Sequence, residues 1–346
     1  MAGQRLKGII AAIGNTPLVE LEHIVPEFQG QVFAKLERFN PGGSIKDRSA
    51  ISMLLGKIES GELRPGRSVV VESSSGNLAI GIAQLCGYFG IRFVCVVDAK
   101  TTEQNLAILK ALQAEVEVVT DPDPVTGEYL PMRLARVRQL VDRIPHAYWP
   151  NQYANPLNPL AHRQTMREIA EALDGKVDYL FCAASTTGTL RGCGEYIREQ
   201  GMSTKVIAVD AVGSVLFAPQ ADPDGSVPEP PAFRLIPGHG ASVRPPLLDT
   251  RTPDRVVHVT DLDCVVGCRR LTRREAVLAG GSSGATVSAL EKLAPSIPAG
   301  SNCVLIFPDG GDRYLDTIYS DHWVRQNFGD VAHLWKDSER KLMQPC

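Results

Sequence analysis

The chain has 346 residues, of which 44% are hydrophobic and 22% are charged, and its formal net charge is -3. The length predicts about two domains, the composition is typical of a globular protein, and the small net charge excludes a strongly basic surface for nucleic acid. No apolar run approaches the roughly 18 residues that a membrane-spanning helix needs, so we expect a cytoplasmic protein that binds neither membranes nor nucleic acid.

Short apolar runs alternate with helical patterns along the chain. The predicted strands are Val69–Val71, Phe93–Val97, Val116–Val119, Tyr179–Ala183, Val206–Val209 and Val304–Phe307. The predicted helices lie near Leu78–Phe89, Gln104–Leu112, Met132–Val141, Leu190–Glu199 and Ala285–Leu293. Continuous apolar strands that alternate with helices indicate an α/β protein whose parallel sheets are covered on both faces.

Two polar segments interrupt this pattern. The Pro/Asp-rich stretch Ala221–Pro231 is expected to be a surface loop. The segment after Asp330 is polar, and we expect it to be a peripheral appendage.

Five loops rich in glycine and hydroxyl side chains stand between elements of this pattern. In open α/β sheets, ligands bind beyond the carboxyl ends of strands, where such loops meet helix N-termini. The five loops are Asn40–Arg48, Ser73–Asn77, Ser185–Thr189, Gly280–Gly284 and Pro308–Tyr314. Each of them taken alone is compatible with a purely structural turn, but all five together indicate a binding site.

The first loop, with the sequence NPGGSIKDR, places Lys46 near the start of a helix. Lys46 is either a surface lysine at a helix cap or a lysine whose desolvated amine attacks a carbonyl group. The second loop contains three serines before Gly76 and Asn77, where one serine would be enough for an N-cap. The additional hydroxyls favour a bound carboxylate.

Eight cysteines are spread over the chain, and only Cys264 and Cys268 are close together, at a spacing of four residues. A metal or redox pair there is an alternative to simple burial. No His–Cys cluster has the spacing of a zinc site, so we expect no metal.

Together with Ile13–Val19 (IGNTPLV), Ala34–Glu37 and Gln152–Pro156, these loops resemble the cysteine synthase / cystathionine β-synthase family of pyridoxal-phosphate (PLP) enzymes. The resemblance covers roughly residues 8–325 and implies fold type II, the tryptophan synthase β-like fold. Two three-layer α/β domains would then hold PLP between them. The implied division is a smaller mobile domain at 44–154, a larger domain from 1–43 plus 155–330, and a tail at 331–346. A homodimer is also implied.

The resemblance further implies a role for each matching residue. Lys46 would form the Schiff base and act as general base and acid, Asn77 would bind the cofactor's 3′-oxygen, and Ser282 would face the pyridine nitrogen. The cofactor phosphate would be bound by Ser185, Thr186, Thr187, Gly188 and Thr189. The substrate α-carboxylate would be bound by Ser74, Ser75 and Gln152.

Several positions depart from the pattern of cysteine synthases. Ser185 and Thr187 replace glycines, Tyr153 replaces phenylalanine, and the stretches 98–105 and 236–244 carry different sequences. Phosphate and carboxylate groups pair with arginine, so the candidates for binding a substrate phosphate or a second carboxylate are Arg133, Tyr153, Ser185 and Arg244. Each of these is also compatible with a solvated surface position.

These departures resemble a siderophore-pathway branch of the family that joins O-phospho-L-serine to L-glutamate, releases phosphate and leads to L-2,3-diaminopropionate. His239 stands where that branch would have isoleucine, and Arg244 is displaced by one position. A cysteine or cystathionine synthase that uses O-phosphoserine or O-acetylserine is the alternative. A non-catalytic binding module is a third hypothesis, but it would be expected to lose the residues at Lys46 or Asn77, and both are present.

Overall fold

The computed structural model describes residues 8–124, 127–217 and 234–336, and the expected loop Ala221–Pro231 lies outside them. The strands in these ranges are β1 (Leu18–Glu20), β2 (Gln31–Leu36), β3 (Val69–Ser73), β4 (Arg92–Asp98), β5 (Glu115–Val119), β6 (Ala147–Tyr148), β7 (Tyr179–Ala183), β8 (Lys205–Ala211), β9 (Arg255–Val259) and β10 (Asn302–Phe307). All six predicted strands are confirmed to within two residues at each end.

The helices lie mostly between strands. They are α1 (Lys46–Glu59), α2 (Asn77–Phe89), α3 (Glu103–Ala111), α4 (Tyr129–Arg143), α5 (Leu157–Ala172), α6 (Gly188–Glu199), α7 (Asp261–Arg274), α8 (Gly281–Leu293) and α9 (Asp321–Phe328). A 3-10 turn at Gly311–Tyr314 follows β10. The five predicted helices are present, and their first residues lie one to four positions earlier than the apolar pattern indicated.

The strands form two sheets. The larger has the order β1-β2-β10-β7-β8-β9, with only β1 antiparallel to its neighbour, and the smaller has the parallel order β5-β4-β3-β6. Parallel neighbours need crossover connections, which the intervening helices supply. The strands of the smaller sheet all fall within the predicted domain 44–154. Its boundaries and its mobility stay predictions.

Each sheet is covered on both faces. On the larger sheet, Phe181 and Leu305 pack with α7 and α8, whereas Leu180 and Val304 point to the opposite face and pack with α5 and α6. On the smaller sheet, one face packs against α1, α2 and α3, and the other packs against α4 through Val137. The two three-layer α/β units expected from the sequence are therefore present, and burial on both faces explains the continuous apolar strands.

The end of the described chain corrects one expectation. Trp335 is buried in the core of the larger sheet, where Val331 and Leu334 also pack. Arg270 donates two hydrogen bonds to the backbone oxygen of Leu334. The expectation of a peripheral appendage is wrong for residues 331–336, because a single large indole contributes more buried area than the polar neighbours suggest. Residues 337–346 lie outside the described part.

Four buried charges connect the first turn of α1 to the larger sheet. Arg48 Nε donates to Glu37 Oε2 (2.7 Å), and its two terminal nitrogens donate to the two oxygens of Glu168 on α5 (2.7 Å each). Lys35 on β2 forms an ion pair with Glu168 Oε2 (2.7 Å). Thr16 Oγ1 donates to Glu37 Oε1 (2.6 Å). The IGNTP, KLE and KDR motifs thus meet in one balanced network.

No helix within the described ranges is long and apolar enough to cross a membrane.

The close packing of α7 on α8 depends on glycine. A Cβ at Gly284 would lie 2.1 Å from the backbone oxygen of Cys264, whereas a Cβ at Gly56 of α1 would meet nothing within 4 Å. We expect Gly284→Ala to lower the free energy of unfolding by about 1–3 kcal/mol, because backbone atoms must shift. We expect Gly56→Ala to raise it by about 0.5–1 kcal/mol, because alanine favours helix. Urea unfolding measures both, and an unchanged Gly284→Ala protein would contradict this packing.

The charge network gives a second prediction. Replacing Arg48 by methionine leaves Glu37 and Glu168 buried without their main partner, which should cost about 3–5 kcal/mol of unfolding free energy. The matched control is Arg92→Met, which breaks an exposed ion pair with Glu115 and should cost less than about 1 kcal/mol. Denaturant unfolding measures both variants. Equal losses of unfolding free energy would show that the buried network stabilises the protein no more than an exposed ion pair does.

Candidate active site

Lys46 is the first residue of α1, and its loop is held against the end of β10. Ile45 N donates to the backbone oxygen of Pro308 (2.8 Å), and Ser44 pairs with Asp309 in an isolated β-bridge. Burial lowers the pKa of the Lys46 amine, and the negative charge of Asp309 partly opposes this effect. A lowered pKa makes the neutral, nucleophilic amine more accessible. This environment favours the reactive-lysine hypothesis over a surface lysine.

The Ser73–Asn77 loop begins α2. Ser74 Oγ accepts long hydrogen bonds from the backbone N–H groups of Gly76 (3.4 Å) and Ala79 (3.3 Å), although the N-cap residue of α2 is Gly76. The side chain of Ser75 instead accepts a hydrogen bond from Arg133 Nη1 (3.2 Å). Asn105 Nδ2 donates to the backbone oxygen of Ser75 (2.9 Å). Carboxylate binding by the two serines stays a prediction.

A buried carboxylate links this loop to the Gln152 segment. Glu72 accepts hydrogen bonds from Trp149 Nε1 (3.0 Å) and from the backbone N–H of Gln152 (3.3 Å), and burial raises its pKa to about 7 despite these donors. Gln152 Nε2 also donates weakly to the backbone oxygen of Ser73 (3.4 Å). Gln152 therefore lies beside the serine loop, as the resemblance implies. Glu72 was not identified from the sequence, because a single glutamate at a strand end gives no signal.

Arg133, Ser75 and Tyr153 come together at one place. Arg133 lies on α4, is about nine-tenths buried, and forms an ion pair with Asp98 (3.3 Å) in addition to its bond to Ser75. Burial raises the pKa of the Tyr153 hydroxyl, and the positive charge of Arg133 opposes this shift. Arg133 is therefore not a solvated surface residue.

Arg244 lies in a different environment. Its side chain is exposed, and its Nε donates to the backbone oxygen of Val215 (2.8 Å). The loop that carries it nevertheless contacts the Ser185 loop, because Gly240 N donates to the backbone oxygen of Ala184 (2.8 Å). In that loop His239 is buried, neither ring nitrogen has a hydrogen-bond partner, and burial lowers its pKa to about 4. The imidazole that replaces isoleucine is thus neutral.

The Ser185–Thr189 loop precedes α6. Thr186 and Thr187 are buried, Ser185 is partly buried, and the Thr187 hydroxyl has no hydrogen-bond partner. Thr187 also adopts φ +65°, a left-handed conformation that glycine accepts more readily. A Cβ at Gly188 would lie 2.5 Å from Asn158 Oδ1, so only glycine fits there. A strained residue with an unpaired hydroxyl at a helix N-terminus matches a phosphate site.

Thr189 completes that loop, and its hydroxyl lies 3.5 Å from His162 Nε2. His162 also contacts Ser49 Oγ of α1 (3.1 Å). Burial lowers the pKa of His162 well below its usual range, with the nearby charge of Lys46 adding to the effect. The neutral histidine therefore connects the Thr189 loop to the helix of Lys46. No motif in the sequence indicated this histidine as a site residue.

Ser282 lies in the first turn of α8. It is buried together with Ser283, whose hydroxyl has no partner in the described structure. The turn contacts the β10 loop, because Gly280 N donates to the backbone oxygen of Asp309 (3.3 Å). The Gly280–Gly284 loop therefore lies at the same edge of the sheet as Lys46.

Asn77 is held by two residues of the Pro308–Tyr314 loop. Its Nδ2 donates to Asp309 Oδ2 (2.8 Å), which also accepts a hydrogen bond from the Tyr314 hydroxyl (2.7 Å). Arg313 Nη1 donates to Asn77 Oδ1, and Arg313 Nη2 donates to the backbone oxygen of Gly42 (2.8 Å). The sequence identified this loop as a candidate but assigned no role to Asp309 or Arg313.

These groups fit pyridoxal phosphate. An aldehyde requires a lysine with a lowered pKa, which Lys46 supplies, and a phosphate requires donors such as the unpaired hydroxyl of Thr187. Ser282 supplies a hydroxyl at the start of a third helix. The residues present therefore match the aldehyde, the phosphate and the ring nitrogen of the cofactor.

Cys264 and Cys268 lie apart from this chemistry. Both thiols are buried, and burial raises the pKa of Cys268 to about 12 and raises the pKa of Cys264 well above its usual range. Thiols with raised pKa values are poor nucleophiles, which favours the structural interpretation. Across the three described ranges, no group of three His, Cys, Asp or Glu side chains is placed to hold a metal ion.

Comparisons with known proteins agree with this geometry. A family model described as pyridoxal-phosphate dependent enzyme matches residues 9–309. The chain is 45% identical over 319 residues to N-(2-amino-2-carboxyethyl)-L-glutamate synthase of Ralstonia nicotianae, which covers 92% of this chain and 91% of that protein. It is 44% identical to the protein of the same name from Cupriavidus metallidurans, which covers 91% of this chain and 90% of that protein.

Solved structures show the same fold. Cysteine synthase of Entamoeba histolytica matches with a TM-score of 0.82 and 30% identity over 92% of each chain. O-ureido-L-serine synthase matches with a TM-score of 0.81 and 28% identity, over 94% of this chain and 97% of the other. O-acetylserine dependent cystathionine β-synthase of Helicobacter pylori matches with a TM-score of 0.80 and 28% identity, over 92% of this chain and 100% of the other.

The matched family and the fold-type II neighbours leave no doubt about the class of enzyme and its cofactor. The chain belongs to the pyridoxal-phosphate dependent enzymes, with the fold of the cysteine synthases.

Proposed function

We propose that this enzyme joins O-phospho-L-serine to L-glutamate, releases phosphate, and forms N-(2-amino-2-carboxyethyl)-L-glutamate. The observation that carries the proposal is 45% identity, over 92% of the chain, to a relative named as the synthase of that product. The product is a precursor of L-2,3-diaminopropionate for a siderophore or a peptide natural product. The reaction is a β-replacement.

Lys46 is proposed to hold the cofactor and to move the α-proton. Bound pyridoxal phosphate delocalises the electron pair that remains when the α-proton leaves. Burial keeps the Lys46 amine ready to accept that proton, and the same amine returns a proton once the new bond has formed. Asn77 and Ser282 are proposed to bind the ring, and the cofactor phosphate is assigned to Ser185, Thr186, Thr187, Gly188 and Thr189.

The substrate α-carboxylate is assigned to Ser74, Ser75 and Gln152. Support comes from the contacts of Gln152 with Glu72 and Ser73, which place it beside the serine loop. Ser75 also contacts Arg133 Nη1, which places a guanidinium beside this loop, within reach of the phosphate of a substrate whose α-carboxylate is bound there. A charge-assisted hydrogen bond of this kind is stronger than a neutral one.

The phosphate of the substrate is assigned to Arg133, Tyr153 and Ser185. The positive charge of Arg133 opposes the raised pKa of the Tyr153 hydroxyl, so the two groups lie near each other. Tyr153 stands where cysteine synthases usually have phenylalanine. Sulfide requires no cation, whereas a phosphate dianion gains from a buried guanidinium. Arg244 is proposed to bind a carboxylate of glutamate. Its guanidinium is exposed. Nε donates to the backbone oxygen of Val215, and further N–H donors of the group are left for a carboxylate.

The remaining expectations also belong to this proposal. The segment 44–154 would be a mobile domain that closes over the substrates and excludes water. The enzyme would be a cytoplasmic homodimer.

A cysteine synthase is the second candidate, because a cysteine synthase shares 30% identity and a TM-score of 0.82 with this chain. It would use sulfide as the nucleophile, with O-phosphoserine or O-acetylserine as the donor. Arg133 would then bind only the leaving group of the donor substrate.

A product assay distinguishes the two candidates. The purified, PLP-loaded enzyme is mixed with O-phospho-L-serine, and L-glutamate or sulfide is added in parallel reactions whose products are identified by mass. We expect an adduct of the two amino acids only with glutamate, together with one phosphate per adduct. Cysteine formed from sulfide, with no glutamate adduct, would contradict the proposal. Lys46→Ala should abolish product in every reaction, because no other residue is proposed to move the proton.

Arg133 provides a sharper test of the donor substrate. Arg133→Met should raise KM for O-phospho-L-serine roughly 10- to 100-fold, because a buried charge-assisted pair with phosphate is lost. Turnover of O-acetyl-L-serine should change much less. The matched control is Arg136→Met on the same helix, whose partner Glu117 lies at the surface. If Arg133→Met weakened both donors equally, the assignment of the phosphate to Arg133 would be wrong.

A further inference from the structure

Asp309 is a buried carboxylate that no step above uses. It follows β10, is 3% exposed, and its Oδ1 has no hydrogen-bond partner in the described structure. Its other oxygen accepts hydrogen bonds from Asn77 Nδ2 (2.8 Å) and from the Tyr314 hydroxyl (2.7 Å). A carboxylate left partly unpaired in the interior is costly, and such groups cluster at functional sites.

Arg313 holds the other end of the same amide. Its Nη1 donates to Asn77 Oδ1, and its Nη2 donates to the backbone oxygen of Gly42 (2.8 Å), four residues before Lys46. The carbonyl oxygen of Asn77 is therefore occupied by a cation, and one amide hydrogen is occupied by a carboxylate. A side-chain amide nitrogen carries two hydrogens, so one N–H of Asn77 stays available.

We propose that Asp309 and Arg313 are positioning residues that lock the Asn77 amide from both sides, so that its remaining N–H faces the ring oxygen of bound pyridoxal phosphate. The inference rests on the proposed role of Asn77. An acceptor on the amide nitrogen and a donor on the amide oxygen select the same orientation, because the turned amide would place its oxygen against Asp309 and its nitrogen against Arg313. Asp309 is also the negative group that faces the nitrogen of Lys46.

Asp47, the neighbour of Lys46, titrates in the neutral range, because burial raises its pKa to about 7 although the Gly42 N–H and the charge of Arg313 oppose the shift. Arg313 and Tyr314 face Asp309 from the 3-10 turn, and Cys268 faces it from α7. Burial raises the pKa of the Cys268 thiol to about 12 and raises the pKa of Tyr314 as well. His162 faces Lys46 from α5, and burial lowers its pKa well below its usual range. A titration of bound cofactor between about pH 8 and 10 lies above the range of Asp47 and therefore reports on the Lys46 nitrogen beside Asp309.

The test measures cofactor binding and needs no substrate. The absorption band of the holoenzyme is followed against pH, and the dissociation constant for pyridoxal phosphate is measured for each variant. Asp309→Asn keeps an acceptor for Asn77 but removes the charge. We expect the pH midpoint of the band to fall by about 1, because a negative charge stabilises the protonated nitrogen. Arg313→Met should weaken cofactor binding roughly tenfold, because the amide is no longer fixed.

The control is Asp312→Asn in the same turn. The Asp312 side chain is mostly exposed and pairs with Arg38, so this variant should bind and titrate as the wild type does. Wild-type titration and affinity in both Asp309→Asn and Arg313→Met would overturn the proposal.

A further variant is used if Asp309→Asn fails to fold by circular dichroism. Arg313→Lys keeps the charge but cannot reach both Asn77 and Gly42, and should still bind the cofactor about tenfold more weakly. Wild-type affinity in that variant would overturn the proposal. These results do not depend on which nucleophile the enzyme uses, so a failed glutamate assay leaves them interpretable.

Discussion

The guanidinium of Arg48 lies in the interior between the carboxylates of Glu37 and Glu168, and the position of the Lys46 loop depends on this arrangement. Arg48 is two residues after Lys46, so fixing Arg48 fixes the first turn of α1 and with it the lysine amine. Lys35 balances the second carboxylate. Removing any one partner would leave a buried charge without compensation, which explains why three distant sequence motifs must fold together. The network therefore influences the proposed reaction only by holding the Lys46 amine in place.

Next to this charge network, loops from both sheets meet in one region. Hydrogen bonds link the Lys46 loop to Pro308 at the end of β10, and Asn77 of the smaller sheet to Asp309 and Arg313 of the larger. The parallel strands point their carboxyl ends to this edge, so helix N-termini meet there. A region of this kind concentrates donors for anions while burial keeps the Lys46 amine reactive. The fold thus creates both requirements of a cofactor that carries a phosphate and an aldehyde.

The apolar periodicity predicted the strands of the parallel sheets well, because burial on both faces leaves long apolar runs such as Tyr179–Ala183. The apolar periodicity did not indicate β2, because the charged residue Lys35 interrupts the apolar run and is buried with its ion pair. It also did not indicate α7, which begins with a capping box at Thr260 and Asp263 and contains many charged residues. Motif resemblance predicted Lys46, Asn77 and Ser282 as site residues. It did not indicate Asp309, Glu72 or His162, because their contacts join residues distant in sequence, which local patterns do not encode.

The central claim is that the buried amine of Lys46 carries the cofactor. Borohydride reduction of the holoenzyme, followed by proteolysis and mass spectrometry, locates the pyridoxyl group on one peptide. The account predicts a single modified residue, Lys46, in the segment NPGGSIKDR. A pyridoxyl group on another lysine, such as the surface residue Lys57 eleven positions later, would contradict the account.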